Sequence, residues 1–198
     1  MDNFIYFAGL SGSLRKESFN TRLLNVVSKL MPPGILFDIL SIADLPLYNA
    51  DLDIPSSNER PPPVQQFRDK LTKAKALVIV SPEYNYSIPG GLKNAIDWAS
   101  RGEDSPLIKK PVAIMGATTG LWGTVRMQNA FHPVFLYLNM IPVYKPEILV
   151  ARAEDKFDEK GNLKDEKAKE LIQIKLEALK ELVVRHDFLA NEALSSNH

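Results

Sequence analysis

Ser11, Ser13, Arg15, Ser18 and Asn20 crowd into the stretch "SGSLRKESFN", directly behind the apolar run "FIYFAGL". If the run is a strand and the residues after it open a helix, these side chains fall where the first helical N–H groups have no partner. Such amides carry the positive end of the helix dipole; hydroxyls add donors, and a guanidinium can grip two phosphate oxygens. The loop therefore suits one terminal phosphate. It lacks the three close glycines of a dinucleotide fingerprint, offering only Gly9 and Gly12, and no Gly-Lys-Ser/Thr ends it as in a nucleoside-triphosphate loop. A plainer reading stands beside this one, in which Ser18 or Asn20 caps the helix and the rest is a polar turn.

Two further stretches weigh against the plainer reading. "SPEYNYSIPGGLKNAIDWASR" follows the apolar run "ALVIV". Pro82 and Pro89 stiffen it, Gly90 and Gly91 permit close approach before a helix, and Glu83, Tyr84, Asn85 and Tyr86 sit between. A stiff loop with free main-chain groups and aromatic surface is what a flat heteroaromatic ring requires. "GATTGLWGT" adds two threonines, glycines and Trp122 after a third run. Three such loops favour a phosphorylated aromatic cofactor.

The elements that must position these loops follow from periodicity. "FIYFAGL", "ALVIVSP", "PVAIMGA" and "PVYKPEILV" read as strands covered on both faces, and "ILFDILSIADL" as a fifth nearer an edge. Helical patterns run from Asn20 to Leu30, Val64 to Ala74, Leu92 to Ala99, Thr124 to Asn139 and Lys167 to Phe188. Strands alternating with helices imply an α/β fold, a three-layer sandwich with a five-stranded parallel sheet in the flavodoxin-like order 2-1-3-4-5. In that order strands 1 and 3 are neighbours whose chains leave in opposite directions. A crevice opens at their carboxyl ends, where the loops after strands 1, 3 and 4 meet. "NADLDIPSSNERPPP" is expected as an exposed loop and "EDKFDEKGNLKDEKAKE" as a solvated excursion turning at "KGN".

Composition narrows the function. The 198 residues suit one domain, taken as 1–198, and 24 basic residues balance 24 acidic ones, so nothing favours nucleic acid or an acidic membrane. No cysteine is present, which removes disulfides, thiolate metal sites and a cysteine nucleophile, and suits a reducing cytoplasm. No secretory signal and no membrane insertion are expected. His132, His186 and His198 lack metal-ligand spacing, so no metal site is expected.

At "GSLRKESFN", "SIADLPLYNADL", "SPEYNYSIPGGLKNAIDWASR" and "KPEIL" the chain resembles the NAD(P)H-dependent FMN reductase family of flavodoxin-like proteins, in its bacterial quinone and chromate reductase branch. The resemblance implies non-covalently held FMN. It carries the ribityl phosphate to Ser11, Ser13, Leu14, Arg15, Ser18 and Asn20, and the isoalloxazine to Pro82, Glu83, Tyr84 and Asn85. The third loop would flank the cofactor through Thr118, Thr119 and Gly120. Relatives tend to have serines and a smaller residue where this chain reads "TTGLWG", so Trp122 either narrows the entrance or packs beneath it.

The implied activity is ping-pong transfer from NADPH or NADH through FMN to a small acceptor such as a quinone, chromate or free flavin, with no catalytic nucleophile. The alternative is a flavodoxin-type electron carrier that does not itself oxidise NAD(P)H. A homodimer or homotetramer is implied too. "AFHPVFLYLNM" is more apolar than one sheet face needs, and Arg126 and Glu147 are candidates for a subunit contact. Arg101 reaches either the crevice, a partner subunit or a surface ion pair.

Overall fold

Apolar runs too short for helices form the strands of the computed structural model, which describes residues 4–53 and 60–195. The strands β1 (Ile5–Ser11), β2 (Ile35–Leu40), β3 (Ala76–Val80) and β4 (Pro111–Ala117) are parallel. Every residue of β3 and β4 is buried, which explains why both read as continuous rather than alternating apolar runs. The sheet order is 2-1-3-4-5, as a flavodoxin-like fold requires.

The fifth position differs from the sequence reading. "PVYKPEILV" forms two short strands, β5 (Ile141–Pro142) and β6 (Leu149–Val150), which pair separately with the two ends of β4. Pro142 and Pro146 have no N–H for a ladder, so the pairing lapses between them. The second strand also stops at Leu40, short of the expected Leu45. The Ser41 hydroxyl accepts from the Ala43 N–H at 3.2 Å, turning the chain, and Ile42 folds back into the core.

Helices cover both faces. On one side lie α1 (Phe19–Lys29) and α7 (Glu166–Ser195), on the other α2 (Pro62–Lys73), α3 (Gly90–Ser100), α4 (Val125–Ala130) and α5 (His132–Tyr137). Ser18 caps α1 by accepting from the Asn20 N–H at 3.2 Å. The expected helix from Thr124 to Asn139 is broken at Phe131, which ends α4 and opens α5. Pro133 cannot donate to the carbonyl one turn earlier, and the Phe131 ring stacks on Phe135 at 5.4 Å. The charged excursion carries a short helix, α6 (Ala153–Lys156), and is anchored rather than wholly solvated: Phe157 and Leu163 are buried.

The loop before α2 is exposed at 49–52 and 62–63 as expected, and residues 54–59 lie outside the described residues, but Asp53 and Arg60 are tied inward. The buried Arg60 guanidinium donates to Asp53 Oδ1 at 2.6 Å and to both oxygens of Asp104 at 2.9 and 3.2 Å. Arg68 ion-pairs with the same Asp104 at 2.9 Å. Desolvation opposes the charge on Asp104, yet the two guanidiniums outweigh it and hold the carboxyl below its ordinary range. Pro46, upstream in the same connection, accepts from Trp98 Nε1 at 2.7 Å and Asn94 Nδ2 at 2.9 Å, strapping it across α3.

Two buried lysines fasten main-chain carbonyls. Lys110 donates to the carbonyls of Leu71 and Ala74 at the end of α2, and Lys175 to those of Tyr144 and Pro146 beside β5. Burial pushes both ammonium groups down to about 8. Unfolding returns each lysine to a higher affinity for protons, so the unfolded chain binds more protons between pH 8 and the ordinary lysine range. Stability therefore rises with pH across that window, by at most about 1.4 kcal/mol per pH unit per lysine. Urea titrations between pH 7.5 and 9.5 are expected to show this rise, and Lys110→Met to flatten it.

Candidate functional site

Because all four long strands are parallel, the chain leaves β1, β3 and β4 at the same end of the sheet. Three loops meet there: Gly12–Ser18, Ser81–Pro89 and Thr118–Thr124.

The first loop and the third are joined by Asn20. Its amide donates to the Ala117 carbonyl and accepts from the Ala117 N–H, both at 2.8 Å, and its side chain is buried. Asn20 thereby ties the start of α1 to the end of β4. Ser11 bonds to Thr21 Oγ1 at 2.9 Å, and the Ser13 hydroxyl accepts from the Arg15 N–H at 3.3 Å. The Arg15 guanidinium is exposed and donates to the Glu17 carbonyl at 2.6 Å. The N–H groups of Leu14, Lys16 and Glu17 donate to no other described group. Leu14 is 60% exposed and leans over Gly91 at the start of α3.

The second loop and the third are joined by Glu83. Its carboxylate accepts from the main-chain N–H groups of Arg126 and Met127 at 2.9 and 3.1 Å, capping α4 in the manner of an anion at a helix start. The Arg126 guanidinium completes the tie at 3.4 Å. Pro82 is buried and its carbonyl takes the Ser81 hydroxyl at 2.9 Å. Tyr84 and Ser87 exchange main-chain hydrogen bonds at 3.2 and 2.9 Å, with Asn85 at φ +50° between them. In the third loop the Thr118 hydroxyl accepts from the Gly120 N–H at 3.3 Å, while Thr119 and Gly120 are exposed. Trp122 is 68% exposed, so it stands at the entrance rather than beneath it.

Sequence reasoning missed the residues that hold the loops in place: Thr21, Ser81, Thr124 and the capping role of Glu83. Glycines were the available signal. A side chain at Gly12 would collide with Ser81, and one at Gly116 with the Ser81 carbonyl and Thr124. Arg101 lies with its guanidinium 5.3 Å from the Tyr48 ring, against the strap rather than in the crevice.

These groups fit a phosphate monoester carrying a flat ring. Main-chain amides, hydroxyls and the exposed Arg15 guanidinium, held only by the Glu17 carbonyl, surround the start of α1. Beyond them, a side chain at Gly90 would meet nothing within 4 Å, leaving open space before α3. A cavity of about 570 Å³ lies apart from the second and third loops, along α1 and the turn at Gly161, and is lined by Lys16, Thr21, Arg22 and Lys160. Among the described residues no cluster of three metal-ligating side chains occurs, and no helix is long and apolar enough to cross a membrane.

The model of the family described as NADPH-dependent FMN reductase matches residues 5–155. An NAD(P)H-dependent FMN reductase of Pseudomonas aeruginosa is 44% identical over 179 residues, covering 90% of this chain and 95% of that protein. A quinone reductase of Escherichia coli is 41% identical over 150 residues, or 75% of this chain and 79% of that one. Among solved structures, FerB, a flavoenzyme NAD(P)H:(acceptor) oxidoreductase from Paracoccus denitrificans, gives a TM-score of 0.81 at 32% identity, covering 92% and 98% of the two chains.

The packing around β4 makes a sharp prediction. Gly116→Ala forces Ser81 and Thr124 aside and costs about 1–3 kcal/mol, read as a lowered urea midpoint with an unchanged slope.

Proposed function

The chain belongs to the NADPH-dependent FMN reductase family and is an NAD(P)H-dependent oxidoreductase with FMN as cofactor; from that premise we propose that it delivers reducing equivalents to a quinone-like acceptor in two half-reactions at one shared site. The reductase names of its relatives favour an enzyme over a passive electron carrier. The observation that carries the proposal is the meeting of three loops at one end of the sheet, one offering unpaired amides and a guanidinium, the others aromatic and glycine surface.

When bound, FMN supplies the redox chemistry, taking a hydride from the nicotinamide and returning two electrons to the acceptor, so no nucleophile from the protein is called for. The residues of this chain bind and orient. We assign the phosphate to Ser11, Ser13, Leu14, Arg15 and Ser18, with Asn20 acting through its hold on Ala117. Arg15 gives up its contact with the Glu17 carbonyl to pair with an anion, a stronger charge-assisted bond. Pro82, Glu83, Tyr84 and Asn85 form the wall along the ring; Glu83 serves it by fixing the loop to α4. Thr118, Thr119 and Gly120 flank the opposite side. Main-chain N–H groups of the third loop and of the start of α3 donate toward negative charge that gathers on the ring. Donor and acceptor use the same open approach, so each must leave before the other enters.

A quinone acceptor is supported by the name of the Escherichia coli relative. Chromate and free flavin belong in the same assay, as do both pyridine nucleotides. We also propose a single FMN-binding domain, working in the cytoplasm as a homodimer or homotetramer. Leu136 and Tyr137 on α5 are 83% and 75% exposed, an apolar surface suited to a subunit contact.

The test is direct. Purified protein is expected to carry flavin absorbance and to oxidise NADPH or NADH with a benzoquinone, giving parallel double-reciprocal lines. A colourless chain that does not take up added FMN overturns the proposal. Arg15→Ala is expected to weaken FMN retention about ten-fold or more, the loss of one hydrogen bond between charged groups, with turnover recovered by excess FMN. Full flavin content with lost turnover removes Arg15 from the phosphate site.

A further inference from the structure

We infer that Tyr86, backed by Arg126, is the surface on which a planar acceptor stacks, and therefore the residue that selects acceptors at this site; the inference rests on the FMN-dependent function proposed above. The two hydrogen bonds between Tyr84 and Ser87 close a turn whose central residues, Asn85 and Tyr86, both have left-handed backbones, φ +50° and +63°. Asparagine is ordinary at the first of these positions, but the second normally falls to glycine, because a bulky side chain is strained there. Tyr86 bears that strain without the compensation of burial, since it is 70% exposed.

What fixes its ring is a cation. The Arg126 guanidinium lies 4.1 Å from the ring centroid and 5.8 Å from that of Trp122, and is held by Glu83 at 3.4 Å. Glu83 in turn is fixed by the start of α4. The ring thus packs on the Arg126 guanidinium, which also lies near Trp122 of the third loop, and remains open to solvent. Strained backbones of this kind cluster at active sites and ligand contacts. An aromatic face favours an offset-stacked, electron-poor ring such as a quinone; a compact inorganic complex gains little from it.

The variants Tyr86→Gly, which removes ring and strain together, Tyr86→Phe, which keeps the ring, and Arg126→Met test this in the FMN-loaded protein. KM and kcat are measured with a naphthoquinone and with ferricyanide, alongside flavin content, melting temperature and sedimentation. In Tyr86→Gly the naphthoquinone KM is expected to rise about three- to ten-fold, clearly more than for ferricyanide, with a melting temperature equal to or above that of the parent. Tyr86→Phe is expected to retain the parent KM, and Arg126→Met to move it in the same direction as Tyr86→Gly by a smaller factor. Equal changes for the two acceptors overturn the inference. So does a drop in melting temperature, which makes the ring a folding element, or a change in sedimenting mass without acceptor selectivity, which makes it a subunit contact. Failure of the unmutated protein to oxidise NAD(P)H with either acceptor overturns the underlying function, a result visible before any Tyr86 variant is made.

Discussion

The two hydrogen bonds between the Asn20 side chain and the main chain of Ala117 hold the site together. Pairing between β3 and β4 ends at Val80 and Met115, leaving the last residue of β4 short of a neighbour on that side. Asn20 supplies the missing donor and acceptor from the first turn of α1, as a surrogate strand. It thereby sets where α1 begins relative to the sheet, and with it the position of every unpaired amide in the first loop. Glu83 performs the matching task between the second loop and α4. Two side chains that look like ligand contacts in the sequence act as joints between three loops.

That shift explains how much of the site could be read in advance. The order of elements, the sheet order and the meeting of three loops follow from local periodicity and from the rule for parallel crossovers, both of which depend on residues near one another in the chain. The roles of Asn20 and Glu83 depend on partners far along the sequence, Ala117 for one and Arg126 and Met127 for the other, and no local pattern reports them. Prolines mark the ends of elements reliably, and inside an expected element they divide it. Pro133 splits a helix, and Pro142 with Pro146 divides the fifth strand in two. "NADLDIPSSNERPPP" reads as an exposed loop because its composition is polar, and residues 49–52 and 62–63 are exposed; Asp53 and Arg60 within it are drawn inward by charge pairing with Asp104, which no local pattern reports.

That charge cluster has a separate use. Arg60 and Arg68 are buried with Asp53, while Asp104 is half exposed, so the group keeps a link to solvent that moderates the desolvation penalty. It fastens the connection after β2 to the far end of α3, while Asn94 and Trp98 fasten it nearer the crevice. The helix that follows the second loop is therefore braced along its length.

The first loop leaves the N–H groups of Leu14, Lys16 and Glu17 without a partner among the described residues. These residues are exposed, so water satisfies them until an anion takes its place, and a ligand that binds only the native form raises that form's population by mass action. Protein loaded with FMN then opens to proteases less often than the empty chain does.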